Sequence, residues 1–249
     1  MLHENRAIGF GRFNRTRSAI SLPSPKLSLV QGFPLFEDVQ PSDCQSIISA
    51  AREKRFGRKE TLFSEGNPVR QVIMLLSGCV KITQTGLSGN EVILRLNGAG
   101  EIVGSFRVCV QCAHCSTAQA VQSSTALVWE AENFEKFLVR LPAFRRNTLR
   151  ALEQRLREME QRFREVSTEK VPSRLSSELI RLSDQLGGPV NGQREIALSR
   201  AELAQLTGTT LFTVSRLLCH WQSLGIVTIR REAVMVRDFV ALARITQSE

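Results

Sequence analysis

Between residues 149 and 166 the apolar side chains Leu149, Leu152, Leu156, Met159, Phe163 and Val166 recur at spacings of 3, 4, 3, 4 and 3. That rhythm is the a/d seam of a long helix, and the positions between are mostly Arg, Glu and Gln. So narrow an apolar stripe is expected to close against the same stripe of a second copy, as a parallel homodimer, rather than against a domain of its own chain. The helix is expected from about Pro142, a residue a first turn tolerates, to Ser167, with Val171-Pro172 ending it. A helix of this kind divides the chain, and the text on its two sides differs in period.

Upstream, from Phe56 to Glu130, short apolar runs are broken at glycine: Thr61 to Phe63, Val72 to Leu76, Val80 to Thr83, Val92 to Leu96, Ile102-Val103 and Ala126 to Trp129. Many short strands with regular turn signals indicate a β-barrel of the jelly-roll kind. A short amphipathic stretch around Cys44, Ile47 and Ile48 precedes it, with Ser42 as its expected cap. Residues 1–30 show neither strand nor helix period and read as a flexible basic arm. The division expected is therefore arm 1–30, barrel domain 31–132, dimerisation helix 133–170 and a C-terminal domain 171–249, an α+β chain.

Downstream, Ser199 and Glu202 form a capping box that opens a short helix through Leu206, and Gly208 makes a tight turn. Thr209 or Thr210 can cap the next helix, whose inward stripe is Leu211, Val214, Leu217, Leu218 and Trp221. Gly225 ends it, and Ile226–Ile229 with Ala233–Val236, joined by Arg230-Arg231-Glu232, read as a hairpin wing. Helix, turn, helix and basic hairpin are the winged helix-turn-helix, which reads double-stranded DNA. With the inward stripe packed, Phe212, Ser215, Arg216 and Cys219 share the face toward a major groove. Arg216 can donate twice to a guanine edge, while Ser199, Arg200, Thr210 and Thr213 suit phosphate oxygens and Arg230 is a weaker contact at the wing tip.

Charge agrees with such a partner. Lys+Arg 33 against Asp+Glu 24 gives net +9 and calls for a polyanion, nucleic acid or an anionic membrane surface. No run approaches the roughly 18 apolar residues of a membrane span, and no secretory leader is legible, so a cytoplasmic protein with no membrane partner is expected. In that compartment six cysteines are expected as thiols, metal ligands or redox sensors rather than disulfides.

The string LSRAELAQLTGTTLFTVSRLL from Leu198 to Leu218, the phrase GEIVG from Gly100 to Gly104, Leu62 to Gly66 and Leu76 to Gly78 resemble the CRP/FNR family of transcription regulators. The likeness runs over about residues 33 to 240. It implies a cyclic-nucleotide-binding-like sensory barrel, a homodimer, a palindromic promoter site and RNA polymerase as partner. Two departures matter. Phe212 stands where the family's recognition helix usually has glutamate, and phenylalanine can touch a thymine methyl but cannot accept from a cytosine amino group. Ser105 stands for the glutamate that holds the ribose of a cyclic nucleotide, and Ser116 for the arginine that holds its phosphate. A buried phosphate without its cation costs several kcal/mol, so a cyclic nucleotide is not expected.

In place of that phosphate cassette stand Cys109, Cys112 and Cys115, with two residues between each and the next. A short loop of this spacing can wrap one metal centre. The chemistry resembles that of FNR-type oxygen sensors, although those carry their cysteines near the N-terminus and this chain has none before Cys44. An iron–sulfur cluster, expected as 4Fe-4S, fits the run and needs one further ligand, for which Cys79 comes first, then Cys44 and His114. Zinc at the same cysteines and a thiol–disulfide switch are the alternatives. A thiol oxidoreductase is the rival of another class, but its CxxC opens a helix in an α/β fold and no βαβ pattern exists here, so no enzyme is expected.

Overall fold

Aliphatic runs that alternate large side chains on both faces build the first domain of this computed structural model, which describes residues 25–105, 113–186, 188–190 and 193–246. The chain begins with α1 (Pro25–Gln31), a 3-10 turn at Pro34–Phe36 and α2 (Pro41–Ser49). Then come β1 (Arg52–Phe56), β2 (Thr61–Phe63), β3 (Gln71–Ser77), β4 (Val80–Thr85), β5 (Glu91–Asn97), β6 (Ile102–Val103), β7 (Thr117–Ala120) and β8 (Ser124–Glu130). They form two four-stranded antiparallel sheets, ordered β1-β8-β3-β6 and β2-β7-β4-β5. This is the expected jelly-roll type of barrel, built as two sheets face to face.

The sandwich explains why Val72 to Leu76 is apolar without alternation. Ile73 and Leu75 point between the sheets, against Phe56, Phe63, Val80, Ile82 and Val128. Val72, Met74 and Leu76 point out of the first sheet into a second core with α1, α2 and the helices that follow the barrel. Both faces are covered, so both carry apolar residues. Trp129 is fully buried there and its indole N–H donates to the Ile47 carbonyl at 2.7 Å. Leu27 and Val30 of α1 join this core, so the flexible arm expected to residue 30 is corrected from Pro25 onward. Residues 1–24 lie outside the described ones. Nor does Ser42 cap α2: Gln40 stands at that position, with Pro41 in the first turn and no side-chain cap.

After β8 come α3 (Ala131–Arg140) and the long α4 (Pro142–Thr168). Pro172, read as a stop, sits instead in the first turn of α5 (Val171–Leu186), where its missing N–H costs nothing. The remaining elements are β9 (Gly188–Val190), β10 (Gln193–Ile196), α6 (Arg200–Thr207), α7 (Leu211–Ser223), β11 (Val227–Arg230), β12 (Ala233–Val236) and α8 (Phe239–Thr246). The wing belongs to a sheet of order β11-β12-β10-β9.

One core spans the two domains. Cys79, Ile93, Leu96 and Val121, on the outer face of the second sheet, are continuous with Leu179, Leu203, Leu206 and Trp221 of the C-terminal domain. Polar contacts mark its rim: Gln205 donates to Glu91 at 3.1 Å, and Arg58 meets Glu232 of the wing at 2.7 Å. Among the described residues no helix is long and apolar enough to cross a membrane.

Candidate DNA-reading face and sensor loop

Ser199 caps α6 by accepting from the Glu202 amide, while the Glu202 carboxylate accepts from the Ser199 amide and hydroxyl at 2.9 and 2.8 Å. The capping box is therefore present, and it occupies the hydroxyl assigned to phosphate. Gly208 takes the left-handed backbone (φ 60°) that the turn between the helices needs. Thr210 caps α7, its hydroxyl accepting from the Thr213 amide at 3.2 Å and lying 2.9 Å from the Thr213 hydroxyl. Val214, Leu218 and Trp221 are buried. On the far side of α7, Phe212, Arg216 and Cys219 are exposed, Phe212 to 75%, and Ser215 is half-buried between them.

This face is free to enter a major groove, with Arg200 half-buried at the start of α6 beside it. Arg230 is tied differently: its guanidinium donates to Glu195 of β10 at 2.8 Å. This pair braces the wing sheet, and the Arg230 side chain stays about half exposed at the wing.

Helices α4 and α5 are joined by a charged network that the sequence did not announce. Arg181 donates to both carboxylate oxygens of Glu165, at 2.6 and 2.8 Å, and to Glu178 at 2.7 Å, which also accepts from Arg162 at 2.9 Å. Both carboxylates are buried. Burial pushes the Glu165 carboxyl up, but the Arg181 hydrogen bonds and charge outweigh it and hold it below its ordinary range.

Of the expected metal ligands, Cys109 and Cys112 lie outside the described residues. Cys115 is exposed, 3.8 Å from the Ser105 hydroxyl, and its carbonyl accepts from Gln84 near the end of β4. Cys79 sits at the opposite end of that strand. Its carbonyl accepts from Val121, whereas Thr117 is level with Thr83. Six residues of strand, about 20 Å at ~3.3 Å each, separate the two thiols. Cys79 is also buried, which pushes its thiol up to about 12, with Glu101 and Glu202 adding to the rise. It is a core side chain and does not complete a site with Cys115. Cys44 is buried as well and its thiol donates to the Val39 carbonyl.

His114 differs from both. It stacks on Phe63 with ring centroids 3.7 Å apart, and burial lowers its affinity for a proton. Its buried Nδ1 has no hydrogen-bond partner among the described residues. A neutral imidazole with a ring nitrogen left unpartnered suits a metal. Among the described residues no three His, Cys, Asp or Glu gather around one point, so any centre here depends on Cys109 and Cys112. The loop's anchorage is clear: Gly104, in left-handed backbone, leaves no room for a side chain against the Phe63 ring, and the same ring stacks on His114, so Phe63 lies between the two segments that flank the loop.

Comparison with known proteins agrees with this division. The cyclic nucleotide-binding domain family matches residues 53–140, and the Crp-like helix-turn-helix domain family matches residues 173–245. The chain is 25% identical over 212 residues to the CRP-like cAMP-activated global transcriptional regulator of Mycobacterium tuberculosis, covering 84% of this chain and 95% of that one. It is 24% identical over 197 residues to the anaerobic regulatory protein of Pasteurella multocida, 78% and 72% of the two chains. The structure of FixK2 from Bradyrhizobium japonicum superposes with a TM-score of 0.69 at 21% identity, over 80% of this chain and 98% of that one. With a nucleotide-binding-type barrel, a long helix and a winged reading head in this order, the chain belongs to the CRP/FNR family of DNA-binding transcription regulators, which are not enzymes.

Proposed function

We propose that this regulator binds palindromic promoter DNA as a homodimer, with RNA polymerase as its downstream partner, and that oxygen or redox state controls it through a cysteine-ligated iron–sulfur centre. The observation that carries the sensor reading is the replacement of a phosphate cassette by Cys109, Cys112 and Cys115, of which Cys115 is exposed at the loop's edge. Those three cysteines would hold the centre. The described group best suited to the fourth position is His114, in place of Cys79, because of its unpartnered Nδ1. When bound, such a cluster supplies a redox-labile anchor for the loop. The chain's own part is to tie that loop through Ser105, Gln84 and Phe63 to strands that pack beneath the reading head.

The test is anaerobic purification with iron, sulfide and zinc analysis and an absorbance spectrum. Cys109→Ala, Cys112→Ala or Cys115→Ala should each remove visible absorbance and leave DNA affinity indifferent to oxygen, while Cys219→Ala keeps the absorbance. Protein without iron, together with a triple variant that answers oxidants as the parent does, would sink the reading; stoichiometric zinc would make the site structural.

Cyclic AMP is the competing effector, since the Mycobacterium tuberculosis relative is named as cAMP-activated. In this chain buried Ser116 and half-buried Ser105 offer hydroxyls where that ligand needs a cation and a carboxylate. Calorimetry should therefore show no cyclic AMP binding below about 10 µM, the range a regulatory ligand needs.

A further inference from the structure

The entry of the reading helix carries two adjacent apolar side chains on a face otherwise suited to DNA. Phe212 is 75% exposed, and Leu211, expected to face inward, is 52% exposed. Both lie in the first turn of α7, the end of a reading helix that meets base edges in the major groove. Adjacent exposed apolar groups rimmed by polar ones mark a contact surface, and this one is continuous with the reading face.

The groups around Phe212 narrow what it can recognise. The hydroxyls of Thr210 and Thr213 are turned toward each other in the helix cap. From Leu211 to Ser223 the helix contains no carboxylate, so it lacks the strong acceptor that the cytosine amino group calls for. Arg216, four positions on and on the same face, is exposed and supplies donors for a guanine. What remains for Phe212 is apolar contact, and the apolar group that a base pair presents in the major groove is the 5-methyl of a pyrimidine.

We propose that Phe212 makes the reading head a reader of the pyrimidine 5-methyl group: each half-site sets a thymine against its ring, and 5-methylcytosine is accepted there in preference to cytosine. One turn of α7, about 5.4 Å, separates Phe212 from Arg216, and bases stack about 3.4 Å apart. The thymine therefore lies one or two base pairs from the guanine assigned to Arg216. Methylation of a cytosine at that position would strengthen an otherwise poor site. The proposal rests on the reading of the chain as a palindrome-binding homodimer and is independent of whether the cysteines hold a metal.

The experiment selects palindromes from randomised duplexes with the full-length protein, anaerobic and oxidised in parallel, and then alters the selected site one group at a time. Replacing the thymine of one half-site by deoxyuridine removes a single methyl and should weaken binding about fourfold, the worth of one buried methyl group. At the same position 5-methylcytosine should bind more tightly than cytosine by a similar factor. In Phe212→Ala both differences should vanish, and Phe212→Glu, which supplies an acceptor, should turn the preference there to cytosine. Both variants change an exposed side chain, and the uracil and 5-methylcytosine arms need no variant at all. A selected palindrome in which uracil replaces every thymine in turn without loss of affinity overturns the proposal. So does a Phe212→Ala variant that keeps the parent's preference for thymine over uracil. Selection of no palindrome at all sinks the homodimer reading along with it, so the two failures are told apart.

Discussion

At the scale of the residue, Arg216 is the side chain we propose to carry sequence choice, because its exposed fork faces outward from α7 with no ion pair among the described residues. Arg216→Ala should cost about 1–3 kcal/mol on the specific site and relax preference at one base pair per half-site. Arg200→Ala should weaken specific and scrambled DNA alike; gel-shift titrations on both separate the two. Glu165 sets an acid limit. Its carboxyl is held below the ordinary value in the fold, so its pairing with Arg181 stabilises the joint of α4 and α5 above the unfolded value near ~4.3 and is lost as pH falls through the folded one. Since Arg181 is partly exposed, about 1–3 kcal/mol is a fair share for this pair. Acid titration of the unfolding midpoint should show that loss in the parent and a much flatter profile in Glu165→Gln. Legibility differs sharply at this scale. Ser199, Thr210 and Gly208 were readable because caps and left-handed turns demand particular residue types. The partner of Arg230 was not, because Glu195 lies 35 positions away and only the sheet brings them together.

At the scale of the element, the seam of α4 is divided between two jobs. Leu156 and Phe163 remain 57% and 74% exposed on a single chain, as a face awaiting its twin does, whereas Leu152 turns into the second core, between the first sheet and the helices. Leu156→Lys with Phe163→Lys should yield monomers by light scattering and abolish tight binding to a palindrome. Leu152→Ala should leave the dimer intact and lower the melting temperature instead. The heptad spacing showed the helix but could not show that one a/d position had been claimed by another core. Strand β1 was invisible for a related reason: Arg52, Glu53, Lys54 and Arg55 are exposed and only Phe56 points inward. Such charge on an edge strand deters pairing with other molecules and erases the apolar signal. The small residues of β7 and the hairpin of β9 and β10 carried no period at all.

At the scale of the whole molecule, the shared core of barrel and reading head makes two recognisable domains one mechanical unit. Ile93→Glu with Leu96→Glu places carboxylates in that core, and calorimetry should then resolve two transitions where the parent gives one coupled unfolding event. A parent that already melts in two steps would show the shared core to be energetically minor. The order of parts was legible from composition and period, but their contact was not, since the surfaces that meet, Ile93 and Leu96 on one side and Leu203 and Leu206 on the other, each look like ordinary core residues of their own domain.

Gly208, at the turn between the reading helices, lies over Val166 near the end of α4, close enough that an added methyl would touch the valine side chain. In a symmetric pair this contact works as the jaw of a caliper: each reading head is registered on the rod that joins it to its twin, and the gap between the heads becomes a ruler laid along the DNA. One residue inserted between Thr168 and Val171 would turn each head by about 100° and advance it by about 1.5 Å if taken up helically. Selection from randomised duplexes should then return half-sites with altered separation, or none at all, although every base-reading side chain is unchanged.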